Sequence, residues 1–590
     1  MDTTEPIRKK PVAWFAPGQL AGTALRVLLA QRFGAYLDKR ELQAMFEQPT
    51  FRHDSDELWL DYVADVGDGF DSTYSVAYLL AQSGLSPAPP RPGPSVLGVD
   101  SMAMPGPGAG TRPSTPSAPH DAASARPLDG TAATLSGAPS GTGATSGAEP
   151  APLFLPRGQV LVMGGDQVYP VGSAIAYRER CEGPYTTAFP DSDDDGADMR
   201  APALYALPGN HDWYDGLTAF LRLFGKGRHF GGWRSPQSRS YFALKLPHGW
   251  WLYAIDEQFD AYLDEPQMDY FRAAAKELKP GDKVIIASPA PSWVYTEEKP
   301  SEYDTIKYFI KKIIGDHDVT VKLHLSGDAH HYARYGDGFI TCGGGGAYLA
   351  GTHGLPKGIA VPVVAGAAVH PLRATYPSQA DSKRYGWGVF WRMPWQNPTF
   401  ALLIGLLHTL MLLAFVSSRP RILTLPVMGM VAVAFAATVG FSTLEARVIR
   451  KRHWFAGFAH GVTHVGLALA GMYVWNRLPF VHLEPPWASA STVLYLPVVS
   501  VLGVQIVALY LLVADRWGVN RNELFAGQGI IDSKSFLRMR FAKDGSLTIY
   551  PIGLERSGRA WQANTGPGPS LLAPKDPLVP HLIEPPIVLS

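Results

Sequence analysis

Leu207-Pro208-Gly209-Asn210-His211-Asp212-Trp213 is the stretch whose reading decides the fold. The apolar run Ala203 to Leu207 stops at a Pro-Gly break and then presents an amide, an imidazole and a carboxylate in succession. A buried strand ends this way when it delivers polar groups to the carboxyl edge of an α/β sheet, where such folds keep their chemistry. Taken alone, Gly209-Asn210-His211-Asp212 is equally ordinary turn chemistry. Its companions along the chain shift the balance.

Three other segments share the form. Leu58 to Ala64 is a buried strand ending at Asp65-Val66-Gly67-Asp68-Gly69, and a helix-like run from Ser72 to Gln82 follows with Ser72 as its cap. Gln159 to Met163 ends in Gly164-Gly165-Asp166, and Val321 to Leu325 precedes Gly327-Asp328-Ala329-His330-His331. Trp250 to Ile255 and Lys283 to Ala287 are further strands, with helical segments near Gly216 to Phe224 and Pro266 to Leu278. This alternation predicts an α/β fold, a layered β-sandwich flanked by helices. Its strand ends deliver Asp65, Asp166, Asn210 with His211, and Asp328 with His330 and His331. Hard oxygen ligands mixed with imidazole suit a divalent metal such as Mn, Fe or Zn, and a shared carboxylate can bridge two ions ~3.5–4 Å apart.

A chain of 590 residues exceeds what one hydrophobic core holds, so several domains are expected. Lys plus Arg equals Asp plus Glu at 52 each, so no global field draws in nucleic acid. The two cysteines, Cys181 and Cys342, form no disulfide framework or metal pattern and read as free thiols in a reducing compartment. Residues 1–57 carry no convincing secretory signal, and helical spacing runs from Gln19 to Phe46. Residues 86–150 are Pro, Gly, Ala, Ser and Thr with almost no large apolar side chain, which predicts a disordered insertion between the two parts of the α/β domain, 58–85 and 151–390. The acidic cluster Asp191, Asp193, Asp194, Asp195 lacks the spacing of a calcium loop and reads as solvated.

Beyond Pro394 the character changes. Phe400 to Phe415, Leu423 to Phe441, Phe455 to Val474 and Val493 to Val513 are long and almost uncharged, close to the ~20 residues that cross a bilayer, which predicts a four-helix transmembrane bundle over 395–515. Trp395, Trp454, Trp475 and Trp487 border the runs. Lys383, Arg384, Arg392, Arg447, Arg450, Lys451, Arg452, Arg516 and Arg521 flank them on one side, so the soluble domain and both termini are expected in the cytoplasm; Arg419 and Arg421 weaken the contrast. Inside the spans, His408, His460 and His464 suit interhelical hydrogen bonds, or a proton path or metal ligand. Residues 516–562 predict a small C-terminal β-hairpin around Lys543-Asp544-Gly545, and the Pro-rich tail 563–590 is expected to be loose.

The chain resembles the calcineurin-like metallophosphoesterase superfamily, in a membrane-fused branch of it. That family's pattern runs Asp-x-His, Gly-Asp, Gly-Asn-His-Asp or Glu, a later His, then Gly-His-x-His. Gly165-Asp166 and Gly209-Asn210-His211-Asp212 match as they stand. Asp65-Val66-Gly67 has glycine in place of the histidine, Gly327-Asp328-Ala329-His330 has aspartate in place of the earlier one, and Ser288-Pro289-Ala290 offers no imidazole where the isolated histidine should stand. The resemblance implies that Asp65, Asp166 and His330 hold a first metal, with Asp166 bridging to a second held by Asn210 and Asp328. It also implies catalytic roles for His211, as the acid for the leaving oxygen, and for Asp212. With two imidazoles lost, Asp68, His331 or His353 would have to substitute, and the extra carboxylate favours Mn or Mg over Zn.

The expected function is a membrane-anchored, metal-dependent phosphoester hydrolase using metal-activated water, with a phosphoester substrate of open class and the lipid bilayer as partner. Two other readings stand beside it: a catalytically degenerate binding or scaffold protein on the same fold, and a small multispan transporter or sensor regulated by the soluble domain.

Overall fold

Alternate residues of the strand Leu58–Val63 enter two different cores. Leu60 and Tyr62 pack between two sheets, whereas Trp59 and Val63 pack beneath helices. Val160 and Val162 repeat the division against Leu161 and Met163, as do Trp250 and Leu252 against Trp251 and Tyr253. Strands buried on both faces read as unbroken apolar runs, which is why these segments carry no polar alternation.

The computed structural model describes residues 6–23, 25, 29, 40–90, 153–191, 201–257, 262–363, 366–417, 424–444, 446–482, 484 and 486–590. Two nine-stranded sheets share an inner core, and helices cover their outer faces, so the fold is mixed α/β. Helices Phe70–Ala81 and Gly183–Ala188 lie on one sheet, Glu265–Ala275 and Asp304–Phe309 on the other. Glu265–Ala275 starts where its residues dictate: the Asp264 side chain accepts from the Gln267 N–H, and Pro266 occupies the first turn.

Leu58–Val63, Val160–Met163 and Ala203–Ala206 run parallel in one sheet, and Trp250–Ala254, Lys283–Ala287 and Thr320–Ser326 run parallel in the other. Parallel pairing brings the carboxyl ends within each set to one edge. The loops that follow carry the candidate residues.

The C-terminal strands are integral to the first sheet. Lys534–Phe541 pairs antiparallel with Leu58–Val63 as well as with Leu547–Leu554, where the sequence predicted a small C-terminal β-hairpin. The difference has a chemical cause. Asp61 and Arg538 are register partners, almost wholly buried, with Arg538 Nε and Nη2 donating to the carboxylate at 2.7 and 2.9 Å and Nη1 to the Leu155 carbonyl at 3.0 Å. The tail, expected to be loose, adds strands as well: Pro580–Leu582 and Ile587–Leu589 pair with Leu547–Leu554.

Four helices are long and apolar enough to cross a membrane: Pro398–Ser417, Leu425–Thr443, Lys451–Trp475 and Thr492–Asp515. They lie in the chain between two strand-forming parts of the α/β fold, so the bundle is an insertion in it. His408 Nε2 lies 3.0 Å from His464 Nδ1, and His464 Nε2 lies 3.1 Å from His460 Nε2, an interhelical hydrogen-bonded chain of the expected kind. The predicted insertion falls mainly on 91–152, outside the described residues. So do Asp193 to Asp195, Arg419 and Arg421, and much of the N-terminal helical stretch.

Removing one partner of a buried ion pair strands the other in low dielectric, so Arg538→Met is expected to destabilise the fold by about 3–5 kcal/mol. Thermal melts of the purified full chain would show a lowered midpoint, largely restored in the double variant Asp61→Leu/Arg538→Met. An unchanged midpoint in the single variant would refute this role for the pair.

Candidate functional site

The left-handed backbone region is costly for side chains with a Cβ. Among the described residues eight non-glycines occupy it, and four of these are Asp65, Asp166, Asp328 and His330, with φ of 60°, 51°, 65° and 49°. The strain is concentrated at the strand ends singled out from the sequence. Loop hydrogen bonds hold it in place: Asp65 N–H donates to Gly165 O at 2.9 Å, Val66 N–H to Asp166 O at 3.0 Å, and Ala347 N–H to Asp65 O at 2.8 Å.

Three of the predicted residues meet around a side chain that was not predicted. The Tyr169 hydroxyl lies 2.9 Å from Asp65 Oδ1, 3.3 Å from Asp166 Oδ2 and 2.9 Å from His330 Nε2. Gly67 makes this possible. Tyr169 N–H donates to Gly67 O at 3.0 Å, and a Cβ at 67 would strike the Gln167 carbonyl oxygen and Val168 Cα. A histidine at 67, as in the resembled family, is excluded by the segment that carries Tyr169, and a phenol stands beside Asp65 instead.

Asn210 and His211 open a short helix, Asn210–Trp213, directly after the Ala203–Ala206 strand and its Pro-Gly break. His211 is fixed from two sides: its backbone N–H donates to Asp166 Oδ1 at 2.9 Å, and its Nδ1 lies 2.8 Å from the Pro170 carbonyl. A carbonyl accepts only, so Nδ1 carries a proton and Nε2 remains free to exchange one. Burial lowers the His211 pKa, opposed by the Pro170 hydrogen bond and the charges of Asp328 and Asp68. Asp328 and His211 are half-buried, whereas Asp65, Asp166 and His330 lie beneath.

Other predicted residues are committed elsewhere. Both oxygens of Asp212 are taken, one by the Tyr177 hydroxyl and the other by the N–H groups of Gly209 at 2.8 Å and Gln167 at 3.2 Å. Asp212 therefore braces the two loops that carry Asp166 and Asn210, a positioning role instead of the catalytic one expected. Asp68, a suggested substitute ligand, accepts from Val12 N–H at 2.7 Å and Tyr348 N–H at 3.1 Å. His353, another, sits between Ser382 Oγ at 2.8 Å and Asp515 Oδ2 at 2.9 Å, at the end of the fourth apolar helix. His331 is buried with Nδ1 unpartnered and its pKa lowered by burial to about 4.

Among the described residues no three His, Cys, Asp or Glu side chains are grouped to hold a metal ion by themselves. The donor set around Asp65 reaches four when the phenol is counted: Asp65, Asp166, Tyr169 and His330. The Asp65 carboxylate also takes a backbone hydrogen bond from Asp328 and the His330 ring makes one with the Tyr348 backbone, whereas Asn210 Oδ1, on the loop beside Asp166, is buried without a partner. Burying an oxygen acceptor unpaired is costly, and a cation would satisfy it. Small residues close the cradle: a Cβ on Gly343 would collide with Asp65 Oδ2, and one on Gly209 with Asp166 Oδ1. The donor chemistry fits a hard or borderline divalent ion.

Electrostatics agree with that fit. Burial, then the neighbouring carboxylates Asp166 and Asp328, raises Asp65 well above the ordinary carboxyl range; burial, then Asp328, pushes Asp166 up to about 8. Burial lowers His330 well below the usual imidazole value, and burial with the adjacent carboxylates holds the Tyr169 phenol protonated. Three side chains that the sequence did not assign to the site lie around it. The Trp14 ring meets those of Tyr169, His211 and Tyr348 at centroid distances of 5.8, 5.7 and 5.4 Å. The Tyr348 ring meets His330 at 4.5 Å, and Arg447 contributes positive charge that lowers the Asp328 pKa against burial.

Fold and pocket together define a mixed α/β protein carrying four membrane-length apolar helices and a buried carboxylate, phenol and imidazole cluster at its strand ends. Compared with models of known families the chain matches none, and a comparison with curated proteins gives no match.

A carboxyl whose pKa is raised on folding stabilises the fold below its unfolded value, about 3.9 for aspartate, and loses that contribution as pH rises through the folded value. Chelator-treated protein is therefore expected to lose thermal stability between about pH 5 and pH 8, and added Mn²⁺ to restore it at the upper end. A melting temperature flat with pH and indifferent to Mn²⁺ would contradict the assigned electrostatics.

Proposed function

We propose that the chain is a membrane-anchored, metal-dependent phosphoester hydrolase of the metallophosphoesterase type. The observation that carries this reading is the convergence of Asp65, Asp166 and His330 on one buried point, each from a strained strand end. Strain of this kind persists where function requires a fixed arrangement. Asp65, Asp166, Tyr169 and His330 would hold a divalent ion, and Asn210 and Asp328 a second; such an ion would supply a Lewis acid that balances phosphate charge and acidifies water.

The chain's own residues supply orientation and a proton. His211, fixed through Nδ1 to Pro170, takes up a solvent proton at its free Nε2 and passes it to the departing oxygen. Its backbone N–H on Asp166 couples the position of the acid to that of the central carboxylate. Asp212 and Gln167 keep the two loops in register, with the Gln167 amide donating to Leu207 O at 2.9 Å. Trp14 covers Tyr169 and His211 and keeps water from the proton-transfer path.

The basic residues around the spans support a cytoplasmic soluble domain: Arg447, Arg450, Lys451, Arg452, Arg516 and Arg521 all adjoin helix ends that meet the α/β fold. A second reading, a non-catalytic binding protein on this fold, draws on Ser288-Pro289, which closes the Lys283–Ala287 strand end without an imidazole.

Mn²⁺-loaded full-length protein is expected to hydrolyse 4-nitrophenyl phosphate. Asp166→Asn should abolish turnover, and His211→Gln should lower kcat by roughly a hundredfold or more with metal content unchanged. Tyr169→Phe should weaken Mn²⁺ binding, measured by titration, on the order of tenfold or more. Protein that binds no divalent metal and leaves the aryl phosphate intact would favour the binding-protein reading.

A further inference from the structure

The pocket and the apolar helices are joined by single residues. Trp14 packs on Tyr169 and His211 of the pocket, and the next residue, Phe15, meets Phe400 of the first apolar helix at 5.2 Å and Phe441 of the second at 6.1 Å. On the other side Tyr348, whose ring packs on His330, donates its hydroxyl to Asn522 Oδ1 at 2.8 Å, seven residues beyond the fourth helix. The loop continuing from Tyr348 reaches Thr352, which donates to Pro377 O at 2.9 Å, and His353, which bonds Ser382 and Asp515.

Ser382 belongs to the helix Gln379–Trp387, which leads through Val389–Gln396 into the first apolar helix. Trp387, Trp391 and Trp395 recur at every fourth position there, on one face, and are 61%, 72% and 83% exposed. Exposed tryptophans in such a row, beside a membrane-length helix, mark the headgroup level of a bilayer. The loop that carries Tyr348 is hydrogen-bonded to this helix, so one loop joins the candidate residues to the tryptophan row.

A cation waits there as well. Arg447 lies in the connection between the second and third apolar helices, at the same end of the bundle. Its guanidinium lies 3.7 Å over the Tyr295 ring and pairs with Glu302 at 2.8 Å, and Arg452 pairs with Glu298 at 3.1 Å. These contacts dock the basic connection on the α/β domain beside Asp328, whose carboxyl feels the Arg447 charge. Arginine at a bilayer surface recognises phosphate through forked, charge-assisted hydrogen bonds.

We infer that the phosphoester brought to this pocket is the headgroup of a bilayer lipid, with Arg447 as its phosphate-binding residue at the membrane-side rim. This rests on the phosphoesterase reading and adds a substrate class to it. A phosphate on a soluble molecule shares the same chemistry, so the source decides the test.

The full chain, loaded with Mn²⁺, is reconstituted in phosphatidylcholine vesicles and offered three substrates: long-chain phosphatidate in the vesicle, short-chain soluble phosphatidate, and 4-nitrophenyl phosphate. The vesicle-borne lipid is expected to show kcat/KM at least about tenfold above its short-chain analogue, because the bilayer concentrates it at the pocket. Arg447→Gln is expected to lower lipid turnover about tenfold, chiefly through KM, with Arg447→Lys intermediate. Equal kcat/KM for the two phosphatidates, or turnover of the aryl phosphate alone, would overturn the lipid assignment and leave the hydrolase standing. Inert protein toward all three would remove the hydrolase reading and this inference with it.

Discussion

Asp61 and Arg538, 477 positions apart, share a bidentate ion pair at the centre of a sheet. Neither charge tolerates that burial without the other, so the strands that carry them must pair in one register. The consequence runs through the whole molecule. The apolar helices leave the α/β fold after its second sheet and return to complete the first, so both ends of the bundle are tied to the fold. The edge of the sheets that carries the pocket is thereby held against the bundle. The arrangement of the strand ends and the anchoring of the apolar helices become two results of one closure.

The pocket shows how a glycine decides which side chain stands beside a carboxylate. Gly67 has no side chain, so the segment Gln167 to Tyr169 passes close enough to bring a phenol beside Asp65. A phenol oxygen is a harder donor than an imidazole nitrogen. Such a donor suits manganese, magnesium or iron better than zinc. Burial, more than any neighbour, raises the two carboxyls and lowers the imidazole, so the cluster is largely uncharged at neutral pH as it stands.

Much of the architecture was legible because buried parallel strands announce themselves as apolar runs ending in glycine and aspartate. Asp65, Asp166 and His330 were found that way, and they converge. Tyr169 was not, although it stands three residues past Asp166; a tyrosine in an apolar setting looks like core until its neighbours are known. Asp212 shows the opposite error. Its place beside His211 in the sequence suggested chemistry, whereas in space its oxygens are fully used by Tyr177, Gly209 and Gln167. Arg447 counted only as one charge among several for topology, because its position over Tyr295 depends on contacts between helices and domain.

By itself the sequence determined which segments are buried, where polar groups leave the strands, and that four stretches match a bilayer in length, since periodicity, turn residues and hydropathy are local properties. Tertiary structure alone decided which polar groups share a pocket, that the chain's last strands complete its first sheet, and that Phe15 and Tyr348 join the pocket to the end of the bundle where its first helix begins and its fourth ends. Those are relations between residues hundreds of positions apart, set by burial of charge and by packing that no local window contains.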